Sequence, residues 1–396
     1  MTPLPYGRQW IAEEDRSAVL EALSSDWLTQ GPAVERFEES FAEAVGARYA
    51  VSVSNGTAAL HLAYLAAGVS PGDVVATSPV TFVATANAAV FCGALPRFVD
   101  VEPATACLSP ERLEERLLAG LRPKLVVPVH LAGLPCDMER LAALADRFGF
   151  RVVEDACHAL GARYRSAGRW GTVGDCRASL AAVFSFHPVK HITTGEGGAV
   201  VTSDPRIADA VRRLRSHGTS RSDFRLAGQA VGKSGEPRPW YYEAQELGYN
   251  YRLTDIQCAL GQSQLRRLGR FVARRRELVR RYEERLRPGV EMGLLRLLRE
   301  PEGRESSWHL FPIRIPARRD EAHLALRERG IGTQVHYIPV HLQPYYRERF
   351  GTGPGDCPEA EAHFEEALSL PLFPAMGDGD TDRVAAALLD VLGGFA

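Results

Sequence analysis

The sequence lacks the features that would commit it to a membrane, a disulfide scaffold or a nucleic acid. No apolar run approaches the roughly 20 residues that cross a bilayer, so a membrane partner is not expected. The cysteines (Cys92, Cys107, Cys136, Cys157, Cys176, Cys258 and Cys357) are odd in number, scattered and without a CxxC pair. That argues against a disulfide framework or zinc site and for a reducing compartment; no metal is expected. Lys and Arg (47) balance Asp and Glu (49) to a net charge of −2. Without an excess of positive charge, nucleic acid is not an expected partner. No basic segment followed by an apolar run opens the chain, so no signal peptide is read and a cytoplasmic location is expected. Repeats and low-complexity tracts are missing as well.

What is present is a chain of 396 residues, 45% apolar, enough for a large α/β domain and a smaller one. Residues 1–31 read as an N-terminal arm and loop, 32–262 as the large domain, and 263–396 as a bridging helix and a small α+β domain. From Tyr49 to Glu154, apolar strands alternate with helices, which predicts a mostly parallel sheet covered on both faces. Ligands in such sheets bind beyond the strand C-termini. Thr57, Thr81, Phe82, His130, Asp155 and Ser185 all fall there and are expected to converge. Further on, the spacing predicts a long helix over 265–286 and strands at 309–315 and 334–337. The arginines Arg274 to Arg276, Arg280 and Arg281 are expected on a solvated helix face.

The most informative stretch is VFSFHPVKHITTGEGGAVVT, Val183 to Thr202. It reads as strand, polar turn with Lys190, glycines, strand. A lysine sheltered there would have a lowered pKa and become a nucleophile toward carbonyls; an ordinary loop lysine fits the same letters. Asp155, ending its strand, suits either a helix cap or a carboxylate facing a cationic ring nitrogen. His158 and His187 read as structural or as ligand contacts, and Phe82 as a core residue or an aromatic plate. The turn Ser54-Asn55-Gly56-Thr57 ahead of a helix suits a phosphate. Gly195-Glu196-Gly197-Gly198 is not a phosphate-binding P-loop, because the Gly-Lys-Ser/Thr ending is missing. Thr193 and Thr194 read equally well as turn residues.

Taken together, SDWLTQGP, SNGTAALH, PVTFVATANA, VVPVHLAG, VEDACHALG, FSFHPVKHITTGEGGAVVT, RSHGTSR, LGYNYRLTDIQCALGQSQL and GIGTQVHYIPVHLQPYY resemble the DegT/DnrJ/EryC1/StrS sugar aminotransferases, of the aspartate aminotransferase-like fold type I. The resemblance spans nearly the whole chain. It implies that Lys190 carries pyridoxal 5'-phosphate, Asp155 pairs with its ring nitrogen, and His158 and Phe82 lie against the ring. Gly56, Thr57 and Ser185 would bind the phosphate, with Asn250 reaching in from a partner subunit of a homodimer. Tyr6, Asp26, Trp27, Leu28, Thr29, His187, His336 and Tyr337 would contact a nucleotide sugar. The amino donor would be L-glutamate. FSFHPVK, LGYNYRL and QVHYIPVHLQPYY resemble most the branch that makes UDP-4-amino-4,6-dideoxy-N-acetyl-β-L-altrosamine on the way to pseudaminic acid. Other UDP-, dTDP-, GDP- or CDP-linked 4-keto sugars stay open as substrates. The family also holds dehydratases, which lack the lysine, and a non-catalytic cofactor-binding regulator would keep the same fold. The resemblance departs at His158 and Asn55, where many relatives carry glutamine and serine.

Overall fold

Seven short apolar strands form the main sheet in the computed structural model, which describes residues 2–394. Across the sheet they run Tyr49–Val53, Gly198–Thr202, Ala181–Ser185, Arg151–Asp155, Leu125–Val127, Val74–Thr77 and Leu95–Phe98. The last five pair in parallel. Gly198–Thr202 runs antiparallel to both its neighbours. The reversal has a simple cause. Residues 186–197 contain no helix, and a parallel return needs a crossover, usually helical.

Both faces of the sheet are covered. Val51 and Val53 join one buried cluster and Ala50 the other; Leu125 and Val127 join the first and Val126 the second. Alternate strand residues therefore feed two cores, as the period of two requires. The helices Gly56–Ala66, Ala84–Phe91, Pro110–Leu118, Met138–Phe148 and Pro205–Arg215 come from the segments between strands or directly after them. At Asp255–Leu265, Thr254 and Gln257 form a capping box, as that pair of residues predicts.

A third core, with Leu278, Tyr282, Phe311 and Val384 at its centre, holds most of the C-terminal part and takes in Leu4 from the arm. Its antiparallel sheet joins Arg296–Leu297, Phe311–Arg314 and Ala367–Leu370. Around it pack the helices Leu268–Glu291, Arg319–Glu328 and Asp378–Gly393. Among the described residues, no helix is long and apolar enough to cross a membrane.

Two local expectations are corrected, and one element is unforeseen. Residues 334–337 are not a strand: apart from a single bridge between Gln334 and Ser369, they run irregularly. Arg275 is not on a solvated face but 1% exposed. Its Nη1 donates to the carbonyls of Trp308, His309 and Leu372, so three carbonyls replace the water a guanidinium would otherwise keep. Finally, the hairpin of Arg163–Ser166 with Arg169–Thr172 carried no turn signal. Ala167 and Gly168 take φ of 49° and 74°, where Asn-Gly or Asp-Gly is the recognisable pair.

Candidate active site

Asp155 is set by its strand. Its amide donates to the Pro128 carbonyl at 2.9 Å, its carbonyl accepts from His130 N at 3.1 Å, and Ala156 N continues the ladder to Val183 at 2.9 Å. Held on both sides, the 5% exposed side chain stands at the floor of a cavity of about 1040 Å³. Glu154, next along the strand, takes another course. Its carboxylate accepts from Ser179 Oγ at 2.5 Å and pairs with His130 Nε2 at 2.8 Å. The Cys136 amide donates to His130 Nδ1 at 3.0 Å, so Nε2 carries the proton. His130 is thereby taken up in a buried pair and does not line the cavity, contrary to the expectation for a strand-end residue.

Lys190 stands on the loop between the two antiparallel strands. The loop's ends are themselves paired, Ser185 opposite Gly198. Phe186 N donates to Gly197 O at 2.8 Å and Lys190 N to His187 O at 2.9 Å. Thr193 Oγ1 donates to Phe186 O and accepts from Gly195 N, while Thr194 Oγ1 donates to Glu196 O. Both threonines are buried turn residues, the plainer of their two readings. Gly198 meets a packing demand: a Cβ there would stand 2.7 Å from the Asn55 carbonyl. Burial pushes the Lys190 ammonium below its ordinary pKa, against the opposing pull of Cys157 and Asp155.

Gly56 and Thr57 open a helix capped by Asn55, whose side chain accepts from Ala58 N. The first amides of a helix have no carbonyl inside it. Gly56 lies against Ser185, and both line the cavity. Phe82, 59% exposed, also lines it and is not a core residue. Tyr337 and His158 meet there, Tyr337 Oη standing 3.0 Å from His158 Nε2 with the rings 26° apart. Tyr6 comes from the arm, which bridges Ile331 through Leu4, and its ring centroid lies 5.6 Å from that of His336. His187 completes the expected lining.

Asp26, Trp27, Leu28, Thr29 and Asn250 do not line this cavity. All five are exposed: Thr29 bridges Thr254 and Leu28 O accepts from Asp255 N at 3.0 Å, while Asn250 bridges Ser216. The sequence reading also missed lining residues, including His309, Gln334 and Thr85. His309 follows Trp308 in an apolar run and carries no local signal. Thr85 lies inside PVTFVATANA, where the strand end points to Thr81 and Phe82 but not to a residue one helical turn further on.

Four histidines surround the lysine, and burial keeps them neutral. His191 and His336 are pushed down to about 3, and His158 and His309 well below the ordinary range. On unfolding each returns to about 6.5, so below that pH the unfolded chain binds protons the folded one refuses. Their contribution is complete above pH 6.5 and is lost as pH falls toward the folded values. At pH 5 His191 and His336 each cost about 2 kcal/mol, and His158 and His309 act in the same direction. The urea midpoint followed by circular dichroism is expected to drop steeply from pH 7 to pH 5. A flat midpoint over that range would refute the neutral cluster.

A match to the DegT/DnrJ/EryC1/StrS aminotransferase family spans residues 9–389. The spore coat polysaccharide biosynthesis protein SpsC of Bacillus subtilis is 41% identical over 397 residues, covering 99% of this chain and 97% of SpsC. Among solved structures, Helicobacter pylori PseC, an aminotransferase involved in the biosynthesis of pseudoaminic acid, gives a TM-score of 0.88 at 30% identity over 100% of both chains. The putative sugar aminotransferase Spr1654 of Streptococcus pneumoniae, in its PLP form, gives 0.87 at 27% identity, again over 100% of both. The chain belongs to the DegT/DnrJ/EryC1/StrS aminotransferase family and is a pyridoxal phosphate-dependent sugar aminotransferase.

Proposed function

We propose that the protein transfers an amino group from L-glutamate to a nucleotide-linked 4-keto-6-deoxy sugar, UDP-2-acetamido-2,6-dideoxy-β-L-arabino-hex-4-ulose, in pseudaminic acid biosynthesis. The observation that carries the transfer is the pairing of a sheltered amine, Lys190, with a buried carboxylate, Asp155, in one cavity. The likeness to PseC supports the choice of sugar.

The residues fit pyridoxal phosphate. Asp155 makes no salt bridge among the described residues, feels the Lys190 ammonium only through the cavity, and a protonated ring nitrogen would pair with it directly. A Cβ on Gly56 would stand 3.0 Å from Ser185 Cβ and 3.4 Å from Cys157 Sγ; only glycine leaves that cradle open. Free helix amides and the hydroxyls of Thr57 and Ser185 suit a phosphate. Phe82 and His158 offer the flat contacts for a ring. When bound, the cofactor supplies an electron sink for the electrons of the substrate carbon.

The chain's own residues do the rest. Lys190 anchors the cofactor and, once released, takes and returns the proton at the substrate carbon. Its lowered pKa raises the share of free amine near neutral pH. Asp155 holds the ring nitrogen's proton in place. Tyr6, His187, His336 and Tyr337 face the sugar. Asp26, Trp27, Leu28, Thr29 and Asn250 serve the cavity of a second copy in a homodimer. The exposure of Trp27 (55%) and Leu28 (50%) supports this reading.

The test is a single turnover of the pyridoxamine phosphate form against UDP-, dTDP-, GDP- and CDP-linked 4-keto sugars, read by mass spectrometry. Amination of the UDP-linked N-acetyl sugar is expected to outpace the others. If that sugar alone fails, the substrate assignment falls and the aminotransferase stands.

A further inference from the structure

The carboxylate at the cavity floor does not stand alone. Asp155 Oδ2 lies 2.6 Å from Thr85 Oγ1, which lies 2.8 Å from Thr81 Oγ1. All three side chains are buried. An ionised carboxylate only accepts, so the directions are fixed: Thr85 donates to Asp155, and Thr81 donates to Thr85. The competing acceptor for Thr85, the Phe82 carbonyl, is farther away at 3.3 Å. The other carboxylate oxygen accepts from Cys157 N at 3.2 Å.

The setting singles out Thr85. It stands in the first turn of the Ala84–Phe91 helix, among buried Ala84, Ala86, Ala88 and Ala89. A β-branched hydroxyl residue forms helix less well than alanine, and a buried hydroxyl needs a partner. The backbone at this point is clamped too, because Tyr64 Oη donates to Thr85 O at 2.9 Å.

We propose that the Thr81–Thr85 hydroxyl chain is a positioning device for Asp155, aiming its carboxylate and favouring its charged form, so that the ring nitrogen of pyridoxal phosphate stays protonated. Hydrogen bonds given to a carboxylate favour the ion, and a chain of two polarises further than one. The inference rests on the reading of Asp155 as the ring-nitrogen partner.

The test is nitrogen-15 NMR of the holoenzyme carrying ring-labelled pyridoxal phosphate. Wild type and Thr85→Ser are expected to give the shift of a protonated ring nitrogen. Thr85→Val, which keeps the shape and drops the O–H, moves the shift toward the unprotonated value. It also weakens cofactor binding about tenfold and lowers kcat with little change in KM. A folded Thr85→Val with wild-type shift and affinity overturns the inference. Should that variant not fold, Thr81→Val carries the test: a smaller move in the same direction supports the device, and none overturns it. Asp155→Asn separates the two readings. If it leaves the shift unmoved, Asp155 is not the partner; if it moves the shift and the threonine variants do not, only the hydroxyl chain fails.

Discussion

Replacing Lys190 by alanine is expected to leave a folded protein that still binds pyridoxal phosphate but turns over about 10⁴-fold more slowly or less. Folding survives because the loop is held by its backbone and threonine bonds, none of which involves the lysine side chain. Removing an amine from a desolvated site relieves strain on the fold rather than adding to it. Catalysis does not survive, because no other amine is at hand. The chain has only three lysines, and Lys124 and Lys233 are exposed away from the cavity. Arginine is no substitute, since a guanidinium keeps its protons. After borohydride reduction, mass spectrometry is expected to find the cofactor's mass on the wild-type peptide containing residue 190 and none on the variant's. A Lys190→Ala enzyme transaminating at the wild-type rate would refute the assignment.

Asp155→Asn is expected to separate activity from stability. The carboxylate is buried and in no salt bridge among the described residues, so exchanging it for a neutral amide of the same shape removes a desolvated charge. The melting temperature of the cofactor-free protein is expected to hold or rise. With the cofactor bound, the fixed negative charge that holds the ring proton is gone, and kcat is expected to fall about 10²- to 10³-fold. Melting followed by circular dichroism, set beside steady-state kinetics, checks both. A variant that loses stability and keeps its activity would make Asp155 a structural residue.

Much of this arrangement is legible in the letters, and the rest is hidden for physical reasons. Alternating apolar strands and helices predict the sheet and place Thr57, Asp155 and Ser185 at its C-terminal edge. Such positions follow from local periodicity, which one chain displays. His130 sits at an equivalent position yet is diverted, because Glu154 offers it a partner inside the fold, and pairing between adjacent strands is not local. Arg275 shares a run of arginines with half-buried neighbours; only the three carbonyls that meet it far along the chain make its full burial tolerable. Thr85 has helical neighbours on either side, and its carboxylate partner lies 70 positions away. What escapes a reading of the sequence is thus mainly polar pairing across the chain, whereas strand ends and turns are visible.

The loop that carries Lys190 has one more consequence. It leaves the sheet at Ser185 and re-enters it opposite that same residue, at Gly198, so its span is fixed before anything enters the cavity. On the proposed reaction, one amine must serve two unlike guests in turn, a small dicarboxylic amino acid and a bulky sugar nucleotide. The facing side is built from irregular backbone at 334–337 and from the N-terminal arm, neither of which is a strand of the main sheet. An enzyme with two substrates and a single reacting nitrogen needs one constant and one adaptable side. Here the antiparallel return makes the constant side, a fixed reference point against which each guest is brought to the same place.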